Sequence, residues 1–342
     1  MVSDGTIRGV AATWRDVRAP DDRLEADLRE RLEEVEHALA AAVASDVPLV
    51  SEAAGYLLAA GGKRFRPLLV LLGGRFGDPD DPRLIPAAVA IELTHLATLY
   101  HDDVIDEAGD RRGIPSANAR WDNTVAILTG DFLFARASQI ASDLGTEVTR
   151  LLARTIAEVC EGQIREVQIM GRVETEEAGY LEVIRRKTAS LIGTSCRLGG
   201  LVSSAQPEVV DRLERFGRTL GMAFQLSDDI MDLTAGRDVL GKEPGADLRE
   251  GVYTLPVIHA LRGSARRDQL RSLLASGPPD GDRLEAALEI VRSDGSLDRS
   301  RASVGAAVRA ALDEAAGLPS GAATDALVHL SGFIAARCGA SL

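Results

Sequence analysis

Three cysteines in 342 residues, Cys160, Cys196 and Cys338, are odd in number, far apart and without a CxxC pair. That spacing excludes a disulfide framework and fits a reducing compartment; no thiol chemistry is implied. Long apolar runs are also missing. The longest, around residues 67–74, is far short of the roughly 18–20 residues that cross a bilayer, so no transmembrane segment is expected. Cations are in deficit: 39 Lys and Arg against 52 Asp and Glu give a formal charge of −13. Affinity for nucleic-acid phosphates rests on clustered cations that release counterions, so a general nucleic-acid binder is excluded. Sustained period-two alternation, internal repeats, long linkers and low-complexity tracts are absent too. Residues 1–20 mix Asp4, Arg8, Arg15, Asp16 and Arg18 without a continuous apolar core. They do not read as a secretory signal, and a flexible leader is expected there.

What is present is helical. Leu24, Leu28, Leu32, Val35 and Leu39 recur at three- and four-residue steps among charged residues, which predicts an amphipathic helix. Ala- and Leu-rich segments run over about 86–106, 118–142, 146–170, 175–203 and 207–233, with Pro86 and Pro207 at helix heads, where a first turn tolerates proline. After Leu261 the pieces are shorter and more polar, broken at 277–282 and near 293–296. The pattern predicts an all-α fold, with 21–342 as one helical domain; two helical domains are the alternative.

Asp102 and Asp106 stand four apart at the end of one apolar segment, in Tyr100-His101-Asp102-Asp103-Val104-Ile105-Asp106. Residues i and i+4 share a helix face, and carboxylates at a helix C-terminus face its partial negative charge. One such cluster alone could be a solvated acidic face. A second, Asp228-Asp229-Ile230-Met231-Asp232, closes another apolar segment 126 residues further on. Two such helices facing each other would build an oxygen-lined cage suited to Mg²⁺.

Basic residues sit where a polyphosphate would need them. Gly61-Gly62-Lys63-Arg64-Phe65-Arg66-Pro67 sets two glycines before three cations, and Arg111-Arg112-Gly113 follows the first acidic cluster. Arginine forks grip phosphate oxygens in pairs, and glycines let backbone amides approach an anion. Either stretch alone could be an ordinary basic loop.

Taken together, these marks resemble the trans-isoprenyl diphosphate synthases, the polyprenyl synthetase family. The resemblance rests on GGKRFRP at 61–67, ELTHLATLYHDDVIDEAGDRRG at 92–113, GDFLFARA at 130–137, EGQ at 161–163, Lys187-Thr188, FQLSDDIMD at 224–232, and Gly241-Lys242 with Asp247. It covers roughly residues 55–260; the tail beyond about 262 adds little. It implies the isoprenoid synthase fold, antiparallel helices around a central cavity, in a cytoplasmic homodimer. Two departures are Val252-Tyr253, where many members carry a lysine after the glycine, and Tyr100, at a position often aliphatic.

Carried over residue by residue, the resemblance implies that Lys63, Arg66, His95 and Arg112 hold the diphosphate of isopentenyl diphosphate. Arg111 and Lys242 would bind the allylic diphosphate with Mg²⁺ on Asp102, Asp106 and Asp228; Asp103, Asp229 and Asp232 would act behind these or through water. Lys187, Thr188 and Gln225 would line the allylic site. The bland readings are a core histidine for His95, capping or packing roles for Thr188 and Gln225, and core aromatics for Phe132, Phe134 and Phe224.

The implied reaction is ionisation, condensation and deprotonation. Cations neutralise the diphosphate as its charge grows. Oxygen dipoles of Thr188 and Gln225 face the allyl cation, and the released diphosphate takes the proton. A terpene cyclase would have no use for a second cradle at Lys63 and Arg66, and a non-catalytic subunit typically loses one acidic cluster. Thr98 and Ala97, four and five residues before Asp102, are not aromatic. Short-chain members usually carry a bulky aromatic there as a floor, so a long product is expected, with a geranylgeranyl-length product as the alternative.

Overall fold

The computed structural model describes residues 21–234 and 244–342. Its helices are α1 Asp22–Ala42, α2 Pro48–Ala59, α3 Phe65–Gly74, α4 Leu84–Ile105, α5 Ala117–Arg120, α6 Asn123–Leu144, α7 Thr146–Ile169, α8 Glu177–Ile184, α9 Ser190–Val202 and α10 Pro207–Thr234. After these come α11 Ala246–Arg249, α12 Leu255–Gly263, α13 Arg267–Leu274, α14 Gly281–Ser293, α15 Ser296–Ala316 and α16 Ala322–Arg337. The fold is all-α, and the described strands are the two-residue pair Asp110–Arg111 and Ile114–Pro115.

Asp21 starts α1 by accepting the Leu24 N–H at 2.8 Å, which satisfies one of the donors a helix start leaves open. The leucine stripe of α1 is buried as its spacing predicts. α4 is buried on nearly every side, from Leu84 through Ala97 to Tyr100. A helix apolar all round belongs at the centre of a bundle, and α4 packs against α1, α3, α6 and α9. Leu93 and Leu96 are fully buried there; truncating either to alanine should cost about 2–5 kcal/mol. Tyr100 makes good its departure from an aliphatic residue by donating its hydroxyl to the Ala53 carbonyl, while the Leu57 N–H donates to it at 3.3 Å. α10 is the second central helix, packed against α9 and α15.

Three segments differ from the sequence expectation. The stretch expected to be continuous over 118–142 is broken after α5, because Asp122 caps a new helix by accepting the Val125 N–H at 2.8 Å. The stretch over 175–203 is interrupted by one wide π turn, Arg185–Ala189. The tail is not merely short pieces: α15 has 21 residues, packs along α10 and carries α16. Buried apolar side chains form one cluster from Leu24 to Cys338. Among the described residues, no helix is long and apolar enough to cross a membrane. The leader at 1–20 lies outside the described residues.

Candidate active site

α4 and α10 end at the same cavity of about 720 Å³, so the two acidic clusters meet across it: Asp102 and Asp228 both line the wall. Burial raises the Asp102 carboxyl to about 6, with Asp106 and Glu166 adding and Lys187 opposing. Asp106 is raised as well, first by burial. Lys187 lies against these groups, 3.9 Å from Asp102 and hydrogen-bonded to Glu166. Burial works against its charge, but Asp102, Glu166 and Asp106 outweigh it and raise its pKa. Among the described residues, no three acidic, histidine or cysteine side chains converge tightly enough to enclose an ion. The donors are nonetheless all carboxylate oxygens, and burial with neighbouring charge makes their ionisation costly without a cation. That suits a hard divalent cation that takes one or two carboxylates and completes its shell with phosphate and water.

Asp228 is held from the tail. Arg337, on the last turn of α16, pairs with its Oδ1 at 2.7 Å, donates to Ser227 Oγ and to the Phe224 carbonyl, and lies over the Phe224 ring. That ring stacks on Phe65 at 5.1 Å and lines the cavity, so Phe224 packs against the core as expected and forms the cavity wall as well. Phe132 and Phe134 are partly buried and pack against the core. Asp103 and Asp229 point away from the metal-facing role. Buried Asp103 is gripped by Arg111 at 2.6 Å, and burial raises its pKa against that pairing.

The π turn between α8 and α9 carries Lys187 and Thr188, and both line the cavity. Wide turns of this kind recur at functional sites because they re-aim side chains within a helix. α7 packs close enough for this only through Gly162, where a Cβ would stand 2.7 Å from the Lys187 nitrogen. Thr188 donates to Gln225 Oε1 at 2.9 Å, and Gln225 Nε2 donates to Asp229 Oδ1 at 3.0 Å. Tyr180 donates to the other oxygen of Asp229. Burial raises Asp229 to about 7, opposed by the Tyr180 and Gln225 hydrogen bonds.

On the opposite wall stand Lys63, Arg66, His95, Arg111 and Arg112. Burial lowers Arg66 to about 10, leaving it charged at neutral pH, and its buried Nε has no hydrogen-bond partner among the described residues. Burial and then the surrounding arginines hold His95 well below its usual value, so the imidazole is neutral. Arg111 and Arg112 sit on the small hairpin, with Arg112 and Gly113 both at positive φ in its turn. Gly62 lines the same cavity, and both glycines also serve the cationic wall. The Gly61 carbonyl accepts from Arg112, and a Cβ on Gly62 would meet Arg64 and Arg112. Arg64 turns inward to Glu36 and Glu92, so it is a structural cation. Lys242 lies outside the described residues.

The structure thus brings together Lys63, Arg66, His95, Asp102, Arg111, Arg112, Lys187, Thr188, Gln225 and Asp228, with Asp106 beside Asp102 and Lys187. Sequence reasoning missed Glu166, Tyr180 and Arg337. Tyr180 stands two helical turns before Lys187, and Glu166 one turn after Gly162, spacings that mark a shared face. Arg337 carries no local signal, since its partner is over 100 residues away.

The family model described as polyprenyl synthetase matches residues 47–291. A nonaprenyl diphosphate synthase of Mycobacterium tuberculosis is 44% identical over 85% of this chain and 88% of its own length. The heptaprenyl diphosphate synthase component 2 of Geobacillus stearothermophilus is 42% identical over 91% of this chain and 97% of its own. The crystal structure of a geranylgeranyl pyrophosphate synthase from Corynebacterium glutamicum, complexed with calcium and isoprenyl diphosphate, superposes with a TM-score of 0.83. It is 40% identical and covers 94% of this chain and 99% of that one.

Proposed function

Because the chain belongs to the polyprenyl synthetase family, we propose that its cavity joins isopentenyl diphosphate to an allylic diphosphate and extends the product to a long all-trans polyprenyl diphosphate. The chain is a prenyltransferase of the polyprenyl diphosphate synthase type. The observation that carries the site reading is the convergence of both aspartate clusters, the cationic wall and the Thr188–Gln225 pair on one cavity.

In this reading Asp102, Asp106 and Asp228 hold Mg²⁺, which when bound supplies positive charge against the departing diphosphate. Lys63, Arg66, His95 and Arg112 hold isopentenyl diphosphate; neutral His95 supplies a hydrogen bond and not a charge. Arg111, Lys187 and Lys242 hold the allylic diphosphate. Two separate cradles fix both substrates in one orientation, which converts a bimolecular attack into a local one. Thr188 and Gln225 turn oxygen atoms toward the allyl cation, and the enclosing walls exclude the water that would quench it.

Long product is supported by the nonaprenyl and heptaprenyl relatives and by Thr98, not an aromatic, on the cavity wall. The geranylgeranyl alternative is favoured by the superposing Corynebacterium enzyme. Residues 21–342 act as one domain, consistent with the single buried cluster. Ile127 and Leu128 on α6 and Ile164 and Val167 on α7 are exposed apolar residues, which supports a homodimer. A cytoplasmic location accords with the free thiols Cys160, Cys196 and Cys338. The test is incubation of purified protein with Mg²⁺, labelled isopentenyl diphosphate and each allylic primer, followed by sizing of the products. No product with any primer would defeat the reading, or transfer it to a complex if a second subunit restored it.

A further inference from the structure

A glutamine amide has two ends of opposite character, a carbonyl oxygen that accepts and an NH₂ that donates. Beside an allyl cation the two are not equivalent: the oxygen lowers the energy of the charge and the NH₂ raises it. The surroundings of Gln225 leave one orientation. Asp229, one turn further along α10, is 1% exposed and accepts from Gln225 Nε2 at 3.0 Å. Tyr180 and the Gln225 NH₂ occupy one oxygen of Asp229 each, so the amide end facing the carboxyl group is the NH₂. The amide oxygen is thereby turned to Thr188, whose hydroxyl donates to it at 2.9 Å. Thr188 and Gln225 line the cavity, whereas Asp229 and Tyr180 lie behind it. Tyr180 donates to the second oxygen of Asp229, which stops the carboxylate from rotating away from the glutamine.

We propose that Tyr180 and Asp229 are positioning residues that lock the Gln225 amide with its oxygen on the cavity side, where it stabilises the allyl cation. This rests on the prenyl-transfer reading above. In the step concerned, the allylic C–O bond breaks and its electron pair leaves with the diphosphate oxygen. The isopentenyl double bond then attacks the cation, and a proton passes to the released diphosphate. Neither Tyr180 nor Asp229 exchanges a proton; they act only by fixing a dipole before the charge appears, the kind of preorganisation whose loss typically costs about 10²–10³ in rate.

The test is a double-substitution cycle read by single-turnover rate. Asp229→Asn introduces a donor opposite Gln225 and permits the amide to reverse. It is expected to slow single turnover roughly 100-fold, with KM for both substrates and the Mg²⁺ Kd, measured by calorimetry, within twofold of the parent. Tyr180→Phe is expected to slow it about 3–10-fold in the same way, a partial loss of the same preorganisation, and serves alone should the Asn variant not fold. In a Gln225→Ala background neither change should have further effect. Losses that add in full in that background overturn the proposal, as does a tenfold weaker Mg²⁺ Kd, which would mean Asp229 acts through the metal. Failure of the parent to form any product would strike the reaction reading instead, and is seen before any variant is made.

Discussion

Replacing Asp102 by Asn should make the metal-free protein more stable while removing its turnover. Asp102 ionises in the folded state at about 6 instead of 3.8, first because of burial and then because Asp106 and Glu166 add to it against Lys187. An acid whose pKa is raised by folding binds its proton more tightly in the native state, so the fold loses stability as pH rises from about 4 to about 6. At about 1.4 kcal/mol per unit, the gap of roughly two units is worth about 3 kcal/mol. Asparagine cannot ionise and escapes that cost, and Lys187 keeps Glu166 as a partner. The advantage of the variant should therefore grow by about 2–3 kcal/mol between pH 4 and pH 8. With unfolding entropy of about 2 cal/mol/K per residue, that is about 3–4 °C in Tm. The assay is scanning calorimetry in chelated buffer at both pH values, with product formation measured alongside. Added Mg²⁺ should stabilise the parent, by about 2.7 kcal/mol at a hundredfold excess over Kd, and leave the variant nearly unmoved. A variant that is less stable than the parent at pH 8, or one that keeps most of its turnover, would refute the reasoning.

Chelation with EDTA should abolish product formation and Mg²⁺ restore it; turnover that survives exhaustive chelation would remove the metal assignment. Lys63→Ala or Arg66→Ala should raise KM for isopentenyl diphosphate at least tenfold more than KM for the primer, since a lost charged hydrogen bond costs about 1.5–3 kcal/mol; equal shifts in both would show that the two cradles are exchanged. Phe at Thr98, on the cavity wall, or at fully buried Ala97, should shorten the product on sizing gels; an unmoved distribution with both would show that α4 is not the ruler.

The helices and the site were legible to different degrees for physical reasons. The α1 stripe and the α4 and α10 segments follow from periodicity, because one side of each must be apolar to be buried. The interruption at Arg185–Ala189 has no counterpart in hydrophobic spacing; α7 lies against it at Gly162. Aspartates, arginines and the Lys187-Thr188 pair announced themselves by type and order, and they converge. Side-chain direction did not: Asp102 and Asp103 are neighbours, yet one faces the cavity and the other is buried against Arg111. Spacing gave no sign that Arg64 and Arg112, from the same cationic set, crowd Gly62. Arg337 reaches Asp228 only through the packing of α15 and α16 on α10.

The wide turn at Arg185–Ala189 also holds a spare residue. A π turn closes i→i+5 where an α-helix closes i→i+4, so deleting one residue there lets the segment close into a regular helix while α9 keeps its register. Arg197 would keep its pairs with Asp211 and Glu214, and Cys196 its enclosed position. The side chains that change direction are those of the turn itself, Lys187 and Thr188, which line the cavity. Loss of a single codon in this stretch should therefore cost catalysis before it disturbs the packing of α9.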